Sequence, residues 1–359
     1  MRPKDPFIGR EILGGEYLVL EKIGTGGMGS VYKASQPAMK RMVAIKILHP
    51  KLANRKDLTS RFRREARAMS QLTHPNTVKV FVYGELEDDG SLYIVMEMLE
   101  GKNLNQAVRK DGPIPADRAI PILIQVCGAL QEAHELGIVH RDLKPENIFL
   151  CKQGGMVDYP KVLDFGLAKV TERQMQPGSI ILTQEGMVFG TPEFMSPEQA
   201  QGKTLDARSD IYSLAVILYE VLTGKLPFSA KSPMEYIQKH VTEAIIPLSE
   251  RVPERRFPKG LDDVLACALS KKPEQRYQSA ADFAEALRPF GGAAALALPS
   301  LRPEGGAPRP ELPAMEERAN PPAIVLEKSS GPGLLIGVAA LCLVAGVVLA
   351  VVVMRLLGR

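Results

Sequence analysis

From residue 17 to about residue 289, apolar and polar positions alternate in short strand-like, helix-like and turn-like stretches. Residues 17–23 (YLVLEKI) read as a strand, 43–46 (VAIK) as an apolar strand ending in an ammonium, and 92–99 (LYIVMEML) as an apolar strand running into a connection. Between them, residues 54–72 place Leu58, Phe62, Met69 and Leu72 on one helical face. Residues 209–222 (SDIYSLAVILYEVL) are almost continuously apolar and predict a core helix that ends at Thr223-Gly224. Residues 1–16 form an N-terminal extension with charge and proline but no apolar run of the kind a secretory leader carries.

Past Pro289 this pattern stops. Residues 291–332 hold eight prolines, five glycines and no aromatic residue, too little apolar area to offset the entropy of ordering, and read as a flexible linker. Residues 333–354 (GLLIGVAALCLVAGVVLAVVVM) follow without a charge. As a helix rising about 1.5 Å per residue they reach about 33 Å, matching a hydrocarbon core of about 30 Å. A buried core helix is the alternative, weakened by the loose tether before it and the mere five residues, 355–359, after it. The expectation is a single-pass membrane helix with a short extracytoplasmic tail. Arg318 and Lys328 on one side balance Arg355 and Arg359 on the other, so flanking charge does not set the orientation.

Composition adds exclusions. Of 359 residues, 45% are hydrophobic and 24% charged, a globular mixture that excludes a mainly disordered chain, and a net charge of +4 gives no reason to expect nucleic acid. Cys127, Cys151, Cys267 and Cys342 are scattered without a C-x-x-C, which argues against a disulfide framework or zinc site.

The first candidate chemistry is Gly24-Thr25-Gly26-Gly27-Met28-Gly29. Glycine turns are common, and context has to separate the options. A dinucleotide fold needs such a loop to open a helix, whereas Ser30-Val31-Tyr32-Lys33 is β-prone, so this loop joins two strands. Its amides can close over phosphates, with Val31 against a flat base. Lys46, isolated in an apolar strand, needs an anion. Glu65, on the apolar side of the 54–72 helix, needs a cation. Each can serve the other, although Glu65 pairing with a neighbouring arginine of its own helix stays open.

His140-Arg141-Asp142-Leu143-Lys144-Pro145-Glu146-Asn147, then Asp164-Phe165-Gly166 and Ser196-Pro197-Glu198, in this order after the glycine loop and Lys46, resemble the signature set of a protein kinase. The resemblance covers residues 17–290, and Ser196-Pro197-Glu198-Gln199 and the region Phe257 to Leu287 look like bacterial members of the serine/threonine type, the Hanks-type kinases. It implies an α+β bilobal fold, with an antiparallel-sheet N-lobe over 17–98 and a mostly helical C-lobe over 99–290. It implies Asp142 as the carboxylate that orients the acceptor hydroxyl and takes its proton, and Lys144 as the charge partner of the transferred group. Lys46, paired to Glu65, would hold the α/β-phosphates of ATP. Asn147 and Asp164 are hard oxygen ligands suited to Mg2+, with Mn2+ as a substitute. Ile23, Gly24, Gly26, Gly29, Val31, Ala44, Met96, Glu97, Leu99 and Phe149 would surround the nucleotide, with Met96 as gatekeeper and the Glu97 and Leu99 backbones on adenine. Phe149 is bulkier than the Leu or Met usual there. Asp210 would brace the catalytic-loop backbone, and Glu198 and Arg276 would pair.

Lys144 and Gly190-Thr191-Pro192-Glu193-Phe194 are the serine/threonine form, so the implied partners are proteins with Ser or Thr hydroxyls. Arg141 beside Asp142 implies activation by phosphate on the loop between 164 and 198, with Thr183 the expected autophosphorylation site and Thr191 bonding Asp142 and Lys144. Reaction in trans needs a transient homodimer, which Gly333-x-x-x-Gly337 and Gly346-x-x-x-Ala350 could assist within the membrane. Need for cytosolic ATP puts the kinase domain on the cytoplasmic side of the cell membrane, with no external sensor domain expected beyond 359. A catalytically weak scaffold is the rival; the presence of Lys46, Glu65, Asp142, Asn147 and Asp164 argues against it. A small-molecule kinase is disfavoured by the protein-type segment at 190–194.

Overall fold

The computed structural model describes residues 5–26, 29–48, 56–165 and 191–301. The chain divides into two units, Met1–Glu304 and Gly305–Arg359, and every described residue belongs to the first. Among the described residues no helix is long and apolar enough to cross a membrane. The span expected at 333–354 lies outside them, as do Gly166 and Thr183.

Six strands make the first sheet: β1 (Glu11–Ile12), β2 (Tyr17–Gly26), β3 (Gly29–Gln36), β4 (Arg41–Leu48), β5 (Val80–Glu85) and β6 (Leu92–Glu97), in the order β1-β2-β3-β4-β6-β5. All pairs are antiparallel. The two-residue period of a strand sorts β4 into two faces. Val43, Ile45 and Ile47 point into a cluster with Tyr17, Val19, Tyr32 and Val95. Ala44, Lys46 and Leu48 take the other face, where Leu48 and Ile94 meet Phe62, Met69 and Leu72. Those last three belong to helix α1 (Lys56–Ser70) and the residue pair after it, so the apolar stripe read from the sequence is the surface that packs.

A three-stranded sheet of β7 (Gly101–Asn103), β8 (Ile148–Gln153) and β9 (Met156–Val162) begins the second lobe. It is followed in space by α2 (Leu104–Asp111), α3 (Ala116–Glu135), α4 (Pro197–Ala200), α5 (Ala207–Thr223), α6 (Pro233–Thr242), α7 (Leu248–Arg251), α8 (Leu261–Ala268), α9 (Ala280–Leu287) and α10 (Gly292–Leu296). α5 is the expected core helix. Thr223 is its last residue, and Gly224, at φ 71°, turns the chain out in a left-handed conformation that glycine adopts without strain. Cys127 is buried in α3, and Cys267 is half-buried.

Two sequence boundaries move outward. Residues 5–16 were expected to lie outside the domain, yet β1 pairs with β2, Ile12 is buried, and the Asp5 carboxylate bonds Tyr32 and Lys22. The segment has no periodicity because two strand residues suffice to dock it. The linker expected from 291 also starts later. Ala295 is fully buried, Leu298 and Leu301 pack on the core, and the Arg288 guanidinium donates to the carbonyls of Ala295 (2.8 Å), Leu298 (2.7 Å) and Pro299 (3.0 Å). Small residues allow close packing on α3, where a side chain at Gly291 would run into Ile120. An Ala/Gly-rich composition conceals this, because the anchoring is done by backbone carbonyls and one arginine.

Candidate active site

The register of the first sheet sets Val31 opposite Lys46 and Lys46 opposite Ile94, and one step along sets Ala44 opposite Met96. Val31, Ala44, Lys46 and Met96 therefore share one sheet face, reached from the hairpin in which Gly24 pairs with Val31 and Gly26 with Gly29. Ile23 stands 45% exposed at its start. At Gly29 the β3 backbone approaches β4 so closely that a Cβ would collide with the carbonyl of Ile47. Glycine is required there by the neighbouring strand, apart from anything a phosphate would ask. Met96 and Glu97 end β6, with Leu99 just beyond, all half-buried. Phe149, also half-buried, lies on β8.

Below this face the catalytic segment is held by Asp210. Its carboxylate accepts from the backbone N–H of His140 (2.8 Å) and of Arg141 (3.0 Å) and bonds His134 Nε2 at 2.8 Å. Burial works against ionisation of Asp210, but the bond from His134 and the neighbouring histidines hold its carboxyl below the ordinary range. The bracing matters because Arg141 takes φ 70°, a conformation that strains a side chain with a Cβ. Gln199 Nε2 adds a bond to the Arg141 carbonyl at 2.8 Å.

On this brace, Lys144 Nζ donates to Asp142 Oδ2 at 2.6 Å and to Thr191 Oγ1 at 3.3 Å. Thr191 thus reaches the pair through Lys144, while its expected bond to Asp142 is absent. Asn147 Nδ2 donates to the Asp142 carbonyl at 2.8 Å, which leaves the amide oxygen as the acceptor a hard cation takes. Asp164 also sits at positive φ, 55°, following Leu163, whose N–H donates to the Asn147 carbonyl at 2.9 Å. Phe165 is buried with its ring centroid 5.0 Å from that of His140.

The expected Lys46–Glu65 pair is not formed. Lys46 Nζ donates to Asp164 Oδ2 at 2.7 Å, and Glu65 Oε1 accepts from Arg64 at 3.3 Å. Both charges are satisfied by nearer partners: Asp164 at the foot of the cleft, and an arginine of the same helix, the alternative left open by the sequence. Burial works against ionisation of Asp164, but the Lys46 ammonium holds its carboxyl low. Among the described residues no group of three or more His, Cys, Asp or Glu could hold an ion unaided. A cation shared with phosphate oxygens needs fewer protein ligands, and the Asn147 and Asp164 oxygens fit that requirement.

Sequence reasoning missed Lys161. Like Lys46 it is a lysine in an apolar strand, and the same argument asks for an anion; Glu97 supplies it at 2.7 Å. It also missed Asn76, whose amide donates to the Pro160 carbonyl at 2.7 Å and whose own carbonyl accepts from Val162 at 2.7 Å. No local signal marks that residue. The Glu198–Arg276 pair is present as expected, with both guanidinium contacts at 2.8 Å.

A two-lobed fold, a glycine hairpin over one sheet face and a braced Asp-Lys-Asn segment beneath define a kinase-class cleft. Residues 17–287 match the family model described as the protein kinase domain, and the chain belongs to that family. It is 42% identical over 279 residues to the serine/threonine-protein kinase pkn3 of Myxococcus xanthus, covering 78% of this chain and 50% of that protein. Among solved structures it resembles the Mycobacterium tuberculosis PknI kinase domain, with a TM-score of 0.59 and 28% identity over 79% of this chain and 98% of that one. It also resembles Rad53 residues 1–466 in complex with AMP-PNP, with a TM-score of 0.62 and 25% identity over 77% of this chain and 66% of that one. The chain spans half or less of the length of the curated relatives it matches.

Proposed function

We propose that this protein is a serine/threonine protein kinase that transfers the γ-phosphate of ATP to hydroxyls of protein substrates. The observation that carries the reading is the Asp142–Lys144–Asn147 arrangement, with Lys46 and Asp164 across the cleft. Asp142 orients the acceptor hydroxyl and takes up its proton. Lys144, already 2.6 Å from Asp142, offsets negative charge at the point of transfer. Asn147 and Asp164 would hold Mg2+, whose role is to neutralise phosphate charge, and Lys46 would contact the phosphates. Val31, Ala44, Met96 and Phe149 offer the apolar walls for a base.

The test is radiolabel transfer from Mg-ATP to casein by the full chain. Wild type is expected to label the substrate, and Asp142→Asn to lose about a thousandfold in rate while keeping its melting temperature. A wild type that labels nothing with either Mg2+ or Mn2+ sinks the reading in favour of the scaffold. That alternative has one observation in its favour: Lys46 and Glu65 hold other partners in this conformation.

The reading extends to a cell-membrane protein anchored by 333–354, with its kinase domain in the cytoplasm, and to activation by autophosphorylation at Thr183 in a transient homodimer. Support comes from the uncharged run of 22 residues and from Arg141 beside Asp142. Peptide mass mapping after incubation with Mg-ATP, with Asp142→Asn as control, checks the second part; phosphate confined to 302–332 counts against it.

A further inference from the structure

Lys161 lies in β9 and is only 6% exposed. On one side its strand pairs with β8, where Lys161 faces Phe149. On the other it meets the segment before β5, through Val162 N–H to the Asn76 carbonyl at 2.7 Å and Val78 N–H to the Val162 carbonyl at 3.0 Å. A lone ammonium in such a place is strongly destabilising. Its Nζ donates to Glu97 Oε1 at 2.7 Å and to the Thr77 carbonyl at 3.4 Å.

Glu97 is the last residue of β6, where the first lobe hands the chain to the second. Its Oε1 also accepts from the Lys79 N–H at 2.8 Å, and its own N–H donates to the Lys79 carbonyl at 2.9 Å. Backbone and side chain of Glu97 are therefore both held. Three residues after Lys161 comes Asp164, with Leu163 between them bonded to the Asn147 carbonyl. One ammonium thus ties the connection between the lobes to the strand that delivers the Asp164 carboxylate.

We infer that Lys161 is a positioning residue for nucleotide. It fixes the distance between the backbone of the connection, which takes the base, and Asp164, which serves the phosphates. The inference rests on the kinase reading above. Its essential feature is the charge on Lys161 together with that on Glu97, since an apolar side chain of similar length would fill the space without holding Glu97.

Initial rates of phosphate transfer by the full chain, measured across ATP concentrations at fixed Mg2+ and alongside melting temperatures, test it. Lys161→Met is expected to raise the KM for ATP about tenfold with kcat within about twofold, and Lys161→Arg to restore KM to within about twofold of wild type. Glu97→Gln should raise KM like Lys161→Met, and the double variant should add less than about twofold to either. An unchanged KM in Lys161→Met overturns the inference. So do multiplicative effects in the double variant, or Met and Arg variants whose kcat falls in step with melting temperature. If Lys161→Met does not fold, Glu97→Gln decides, and an unchanged KM there overturns it. Equilibrium binding of a fluorescent ATP analogue separates the two readings. A wild type that binds the analogue but transfers no phosphate breaks the kinase reading alone, and the affinity ratio between variants then decides. A wild type that binds nothing overturns both.

Discussion

Two pairings of opposite charge bracket this molecule, and they are built differently. In the second lobe Arg276 meets Glu198 through two contacts of 2.8 Å, with the guanidinium fully buried. Its remaining N–H groups go to the carbonyls of Ser270, Arg208 and Lys271, and Ser209 adds a bond to Glu198 at 2.6 Å. In the cleft, Lys46 meets Asp164 through one contact of 2.7 Å, with a third of the aspartate side chain exposed. The first pairing has one arrangement available. The second is a single contact, and another anion, Glu65 or a phosphate oxygen, could take the place of Asp164 on Lys46. A fixed pairing lies within the second lobe, and a replaceable one faces the cleft.

The comparison breaks first at the fixed pairing. Arg276→Ala strands the Glu198 carboxylate in the interior, and urea unfolding is expected to show a loss of about 3–5 kcal/mol. A loss under about 1 kcal/mol would mean that this pairing is as replaceable as the one in the cleft.

Glu220 sharpens it as a half-buried carboxylate with no such ion pair among the described residues. Burial, with Glu146 and Glu193 nearby, pushes its pKa from 4.5 up to about 7. The folded state therefore holds this proton more tightly than the unfolded chain does. The stability this provides is complete below about pH 4.5 and lost as pH rises through about 7. Glu220→Gln, which cannot ionise, should match wild type near pH 4 and exceed it by about 3 kcal/mol at pH 8. Equal stability at both pH values would show that the carboxylate is solvated.

The smallest effect on stability is expected at the cleft. Lys46→Met should change unfolding free energy by about 1 kcal/mol, because it removes one contact to a carboxylate whose side chain is a third exposed, while lowering phosphate transfer about a hundredfold. A large stability loss there would erase the distinction.

The arrangement of Asp142, Lys144 and Asn147 was legible because the three sit within one turn-rich segment, and their spacing is itself the geometry. Lys46 and Glu65 were legible singly, but their pairing depends on where α1 rests, which no residue type records. The Lys161–Glu97 tie joins positions 64 residues apart and has no local pattern beyond a lysine among apolar neighbours. At the two ends composition misled. Residues 5–16 dock by one two-residue strand and the Asp5 carboxylate, and 291–301 dock by backbone carbonyls on Arg288; neither device leaves a periodic trace.

Glu132 on α3 accepts from the N–H of Thr73 (3.1 Å), the Thr73 hydroxyl (2.7 Å) and the N–H of His74 (2.9 Å), just past the end of α1. Those bonds hold the chain just past the helix, so a rigid rotation of the helix would pivot near Ser70. Along its axis Glu65 lies about 8 Å from that pivot and Lys56 about 21 Å. A swing that carries Glu65 by about 3 Å is a rotation of roughly 20°, and it sweeps the far end through about 8 Å. Any such rotation would move the N-terminal end between two and three times as far as Glu65.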